Sequence, residues 1–317
     1  MSNLKPASRY AAIDIGTVTC RLLIADIDGT GIHERERGCA ITNLGEGVDG
    51  TGCLKPEAMK RVADQIVQFQ KRIAAHQDLE HPVVTTIATA TSASRDAKNS
   101  AEFLGILGRL GITLRIIPGE EEAMLSFLGV SDSFPGEGLL VVDIGGGSTE
   151  ISVGHAGTTP LFSASFDVGC RRVTERFLKS DPATDTELAE ARAWIIGMLE
   201  SSSAGFLQDS LAVDRMVAVA GTATSVVSIH KKMRIYDSSQ VHREVVSRKT
   251  LNGIYDMLRR LPLAKRKLTV GLEPDRAGVI VAGLVILDVI MDLAGQDFFT
   301  VSESDILQGI ILDTAAK

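Results

Sequence analysis

Residues 139–154 read LLVVDIGGGSTEISVG, and three features in them could handle a phosphate: an acid, a glycine run ending in serine, and a second acid. Asp143 and Glu150 are hard oxygen donors of the type that hold Mg²⁺ against phosphate oxygens. Gly145, Gly146 and Gly147 can take backbone angles closed to other residues, and having no side chains they let N–H groups approach an anion closely. The elements that must position these groups are legible on either side. Residues 139–142 are a continuous apolar run, which predicts a strand buried on both faces with Asp143 at its mouth. After the turn, Ile151 and Val153 alternate with Ser148, Glu150 and Ser152, so the return segment is a second strand. The motif is therefore a hairpin, unlike the glycine phosphate loops that run from strand into helix. A tight hairpin with two solvated acids is the reading without chemistry, but three glycines exceed what a two-residue turn requires.

The signature occurs twice. Residues 11–29 read AAIDIGTVTCRLLIADIDG, and a shift of 129 positions lays Asp14 on Asp143, Ile15 on Ile144, Gly16 on Gly145, Thr19 on Ser148 and Arg21 on Glu150. Duplicated strand-turn-strand units predict two similar α/β lobes facing each other across a cleft, with one phosphate-binding turn from each. The copies differ in charge. An anion between them would meet a guanidinium from Arg21 on one side and carboxylate-held Mg²⁺ on the other. Without a function, Arg21 is a surface arginine on a strand.

Further elements follow the α/β pattern. Residues 56–70 start with Pro and bring Val62, Ile66, Phe69 and Ile73 to one helix face. Residues 83–89 predict a strand running into ATSASRDAKNSAEF, where Arg95 precedes a helix start, and helix starts collect anions. Residues 112–117 predict another strand, closed by Pro118 and Gly119. Next comes GEEEAMLSFLGV, with three acids at a helix N-terminus; the helix dipole accounts for two, and the third invites a role. In the second half, residues 186–207 predict a long helix and residues 216–220 a strand that meets GTATS (residues 221–225), a further candidate phosphate or nucleotide contact.

The whole chain sets bounds on these readings. Its 317 residues are enough for two domains, and 44% apolar residues mark a globular protein. Thirty-three basic against 40 acidic residues give a net charge of -7, which argues against a protein held by bulk charge on nucleic acid or a membrane surface. A polyanionic substrate then needs a local basic lining, for which the candidates are Arg171 with Arg172, HKKMR at 230–234 and KRK at 265–267. The four cysteines lack C-x-x-C spacing and read as reduced thiols, not as a zinc site. MSNLKPASRY has no export signal, so the expected location is cytoplasmic. Residues 277–287, the most apolar stretch, fall short of the roughly 20 residues of a membrane span and predict a buried helix.

Taken in order, IDIGTVTCRLLIAD, IATATSASRDAKN, IPGEEEAMLSFLGV, VVDIGGGSTEIS, VGCRRVTERF, AVAGTATS and DRAGVIVAGLVIL resemble the exopolyphosphatase/guanosine pentaphosphate phosphohydrolase family. That family lies within the actin, Hsp70 and sugar kinase superfamily, and the resemblance covers nearly the full length. It implies an α/β fold of two ribonuclease-H-like lobes: residues 1–125, with the last helix (about 303–317) packing back on them, and residues 126–302. It also implies Mg²⁺-dependent release of terminal phosphate from inorganic polyphosphate or guanosine pentaphosphate, with no nucleic-acid or membrane partner and a homodimer as a possible assembly. In the family's Gly-x-Glu-Glu-Ala motif the first Glu of the pair positions or activates water, a role that falls on Glu121. The expected metal ligands are Asp143, Glu150 and Asp14. The expected phosphate contacts are Arg21, Arg95, Thr17, Thr19, Gly145, Gly146, Gly147 and Ser148. The chain departs from the family in two places: Thr17, Val18 and Thr19 stand where Ser-Asn-Ser or Ser-Asn-Thr is common, and Leu307 and Gln308 stand where an arginine and an acid are common. Longer members carry an added helical domain before which this chain stops, so short chains are the expected substrate. A phosphate sensor and an ATP-dependent kinase are the alternatives outside this activity.

Overall fold

Each aspartate hairpin forms the middle of its own sheet. The computed structural model describes residues 8–78, 84–200 and 213–317. In the first sheet, β1 (Ser8–Ile15), β2 (Thr19–Asp28) and β3 (Gly31–Ile41) form an antiparallel meander. The chain then passes through α1 (Pro56–Ala75) to β4 (Thr85–Ala90), which lies parallel to β1. After α2 (Ser92–Asp96) and α3 (Ser100–Arg109) comes β5 (Leu114–Ile116), parallel to β4. The spatial order is β3-β2-β1-β4-β5.

The second sheet repeats this plan. After α4 (Gly119–Ser133), β6 (Gly138–Ile144), β7 (Thr149–His155) and β8 (Phe162–Phe166) form a second meander. Next come α5 (Cys170–Phe177), α6 (Asp185–Glu200), β9 (Arg215–Val219), α7 (Ala220–His230), β10 (Val245–Ser247), α8 (Arg248–Arg259), α9 (Ile280–Leu293), β11 (Phe298–Val301) and α10 (Ile306–Ala315). The order is β10-β11-β9-β6-β7-β8, and β9 is parallel to both β6 and β11. With the edge strand β10 set aside, order and strand senses match the first sheet. The lobes are alike, as the repeat predicted, and ribonuclease-H-like, as the family resemblance implied.

Packing divides the chain into two units, Met1–Pro118 with Ile306–Lys317, and Gly119–Asp305. The division falls ahead of α4 and not within it at residue 125. The reason is that Phe127, Val130 and Phe134 of this helix form one core with Leu139, Val141, Val217 and Val219 of the second sheet. In the first unit, α1 buries Val62, Ile66, Phe69 and Ile73, the face read from the sequence, against Ile13, Ile15, Leu22 and Ile24. The C-terminal helix α10 packs on β1 and β2.

Other expectations shift at their edges. β5 is shorter than residues 112–117, and residue 83 lies outside the described residues. The helix expected over 186–207 runs from Asp185 to Glu200, and residues 201–207 lie outside the described residues. The apolar stretch becomes α9, buried at nearly every position, and its Asp288 and Asp292 pair with Arg192. Among the described residues no helix is long and apolar enough to cross a membrane.

Candidate active site

The two hairpins superpose in hydrogen bonding as they do in sequence. Gly16 N donates to Thr19 O at 2.8 Å, and Gly145 N donates to Ser148 O at 3.0 Å. The last strand pairs are Ile15 with Cys20 and Ile144 with Thr149, which sets Asp14 opposite Arg21 and Asp143 opposite Glu150.

The glycines work differently from the sequence expectation. Gly145, Gly146 and Gly147 are not in the left-handed region, so special backbone angles are not what the turn requires. Close approach is. A Cβ on Gly145 would lie 3.1 Å from Ser148 O, and one on Gly169, just before α5, would lie 2.3 Å from Gly146 O. With α5 so near, its first amides reach the turn: Cys170 N donates to Gly145 O at 3.0 Å and Arg171 N to Gly146 O at 2.8 Å. Arg172 Nε donates to Gly147 O at 2.8 Å. Three consecutive carbonyls are therefore tied toward α5. In a trans peptide the N–H points opposite to the C=O, so the amides of Gly146, Gly147 and Ser148 point away from α5. Consecutive amides aimed one way form an anion-binding concavity. The first hairpin repeats the device: the Val18 carbonyl accepts from Thr42 N and Asn43 N, and the Thr17 carbonyl from Gly45 N. Thr17 is buried, Thr19 half-buried, and Val18 is only 4% exposed and packs inward.

Beside the second turn, both carboxylates are buried, Asp143 at 7% exposure and Glu150 at 2%. Each is held by a hydroxyl that the sequence reading missed. Ser126 Oγ of α4 donates to Asp143 Oδ2 at 2.8 Å, and Ser165 Oγ of β8 donates to Glu150 Oε1 at 2.6 Å. Asp143 reaches α4 because Leu139, Val141 and Asp143 share the sheet face that this helix covers. The three acids opening α4 are graded in burial: Glu120 is exposed, Glu121 half-buried and Glu122 buried. Glu122 precedes Ser126 by one helical turn and so lies on the face of α4 that meets Asp143.

The corresponding pair in the first unit is balanced in charge. Arg21 Nη2 and Nε donate to Asp14 Oδ2 at 2.6 and 3.0 Å. Asp14 thus engages a guanidinium from its own hairpin, and Arg21 gives part of its donor capacity to Asp14. Arg95, in the last turn of α2, donates to Ile117 O at 3.0 Å. Among the described residues no three His, Cys, Asp or Glu side chains gather as a metal cluster. The donor set nevertheless fits Mg²⁺, which is usually held by one or two carboxylates with water and substrate phosphate completing its shell. Asp143 with Glu150 is the pair that would serve.

One more cation belongs to the second unit. A Cβ on Gly221, in the GTATS stretch, would lie 1.8 Å from Arg276 Nη1, so the guanidinium lies against the first turn of α7 where a side chain is missing. Burial pushes the Cys170 thiol up, while Arg276 and Arg171 pull it the other way, so both cations also act at the start of α5. Arg276 stands in the DRAGVIVAGLVIL stretch, but nothing local marked it as a phosphate contact; its position depends on a glycine more than fifty residues away. The expected basic clusters are partly used up. Arg171 pairs with Glu175, Lys231 pairs with Glu244, and Arg266 is buried, donating to the carbonyls of Leu258, Leu261 and Ala277.

Residues 23–317 match the profile of the Ppx/GppA phosphatase family. Exopolyphosphatase 2 of Mycobacterium tuberculosis is 36% identical over 326 residues, spanning 97% of this chain and 99% of that protein. Exopolyphosphatase 1 of the same organism is 28% identical, spanning 96% and 87%. Among solved structures, an exopolyphosphatase-like protein superposes with a TM-score of 0.89 at 32% identity, covering 98% of both chains. The Aquifex aeolicus PPX-GPPA enzyme superposes with a TM-score of 0.79 at 29% identity, covering 97% of this chain and 100% of that one.

Proposed function

We propose that this chain, which belongs to the Ppx/GppA phosphatase family and is a hydrolase of phosphoanhydrides, releases orthophosphate from the end of inorganic polyphosphate in a Mg²⁺-dependent reaction. The observation that carries the reading is the second hairpin, where three successive amides aim one way beside two buried, hydroxyl-held carboxylates. In this reading the amides of Gly146, Gly147 and Ser148 bind the terminal phosphoryl oxygens and stabilise the charge they carry in the transition state. Asp143 and Glu150 would hold Mg²⁺, which when bound offsets the charge of the phosphate oxygens. Glu121, in the first turn of α4, orients a water and takes its proton. Arg276 supplies a positive charge for the phosphates beyond the cleaved bond. In the first unit, Arg21 and Arg95, with the turn from Thr17 to Thr19, are the corresponding phosphate contacts.

The test is orthophosphate release from short polyphosphate, long polyphosphate, guanosine pentaphosphate and ATP, each with and without Mg²⁺. The expected result is Mg²⁺-dependent release that is fastest from polyphosphate. Release from guanosine pentaphosphate alone would change the substrate, binding without release would make the chain a phosphate sensor, and ATP use only with an acceptor hydroxyl would make it a kinase.

A further inference from the structure

Two loops at the C-terminal end of α7 combine exposed cations with exposed apolar side chains. They are residues 230–236, HKKMRIY, and residues 265–271, KRKLTVG. Both close on one atom: Met233 N donates to Ser228 O at 2.9 Å, and a Cβ on Gly271 would lie 2.2 Å from the same oxygen. With Lys231 paired and Arg266 buried, the cations left exposed are Lys232, Arg234, Lys265 and Lys267. Between them Ile235 is 86% and Leu268 81% exposed, with Tyr236 and Val270 also exposed. Of the acids beside the first loop, Asp237 is engaged by Ser239 N, Glu244 by Lys231 and Glu303 by the Tyr236 hydroxyl; Glu273 and Asp275 follow the second loop exposed, beyond its cations.

A phosphate chain accounts for the cations but gives the isoleucine and leucine nothing to touch. An anionic bilayer offers both halves of the match, headgroup charge for the lysines and arginine and an acyl boundary for the apolar tips. We propose that this end of the second unit is a contact surface for an anionic lipid membrane. The net charge of -7 does not oppose it, because attraction to the headgroups acts within a Debye length of the local patch. The inference is independent of the substrate.

The experiment is co-sedimentation of the full chain with vesicles of phosphatidylcholine alone and of equal parts phosphatidylcholine and phosphatidylglycerol. The chain is expected to pellet with the mixed vesicles at low salt and to remain in solution with phosphatidylcholine. Ile235→Ser with Leu268→Ser should lower the bound fraction. Lys232→Glu with Lys267→Glu should lower partitioning by at least about 25-fold, about five-fold for each cation removed. Orthophosphate release from short polyphosphate should be unchanged in both. The proposal is overturned if the parent chain ignores anionic vesicles, or if either double variant sediments as the parent does. Weaker affinity for long polyphosphate in the charge variant, with sedimentation unaltered, would assign the patch to substrate instead.

Discussion

A carboxylate at the mouth of a strand serves chemistry only when its oxygens are held, and here the holding groups come from elsewhere in the chain. Asp143, the glycines and Glu150 were legible because they fall within eight residues of one another, 143–150. Ser165 was hidden in the strand register, which sets it opposite Glu150, and Ser126 in the packing of a helix on a sheet. The same packing separates the three acids of α4, which local sequence cannot rank. Glu121→Gln should lower kcat by about 10²- to 10⁴-fold with KM little changed, the usual size of a lost general base, and should melt near the parent temperature. Glu122→Gln replaces a buried carboxyl and should act chiefly on thermal stability and on the Mg²⁺ concentration needed. Steady-state kinetics with a melting curve on both variants separates the roles; if Glu122→Gln loses the larger share of kcat, the base is the buried acid.

Among the elements, the hairpins were legible because their two strands are neighbours in sequence, whereas the third strand of each meander and the ownership of α4 were not. Its apolar face lies between two candidate sheets along the chain, and only the register of Phe127, Val130 and Phe134 against β6 and β9 decides. The first meander also carries an ion network that no motif announces. Arg9 of β1 donates to both oxygens of Asp26 of β2 at 2.6 and 2.9 Å, and Arg35 of β3 adds a third bond at 2.8 Å. The hydrogen bonds from Arg9, opposed by burial and helped by Arg35, hold the Asp26 carboxyl below its ordinary range. A depressed folded pKa means that the unfolded chain takes up the proton first as pH falls. The stabilisation is therefore complete above the unfolded value of about 3.9 and is lost as pH drops through it toward the folded value. Urea midpoints measured from neutral to acid pH should fall more steeply for the parent than for Asp26→Asn. The variant should be the weaker of the two at neutral pH and converge on the parent in acid. Parallel curves would show that the network contributes no pH-dependent stability.

For the molecule as a whole, charge governs how long a substrate can be held. A chain at -7 retains a long polyanion only along an unbroken basic track, and the clusters read from the sequence do not supply one. Arg172 is turned to the Gly147 carbonyl, Arg171 and Lys231 are ion-paired, Arg266 is a structural group inside the second unit, and the exposed Lys232, Arg234, Lys265 and Lys267 gather at the C-terminal end of α7 and not along a track from the glycine turn. Sequence shows where cations cluster but not whether carboxylates and carbonyls elsewhere claim them, so the clusters looked more continuous than they are. With few cations beyond the glycine turn, each cut should be followed by release more often than by advance. Long polyphosphate digested in excess over enzyme should then shorten as a whole population, and KM for long chains should rise with salt as exposed charges are screened. Fully degraded products beside untouched long chains would mean processive degradation. A continuous track would then have to exist among residues other than these clusters.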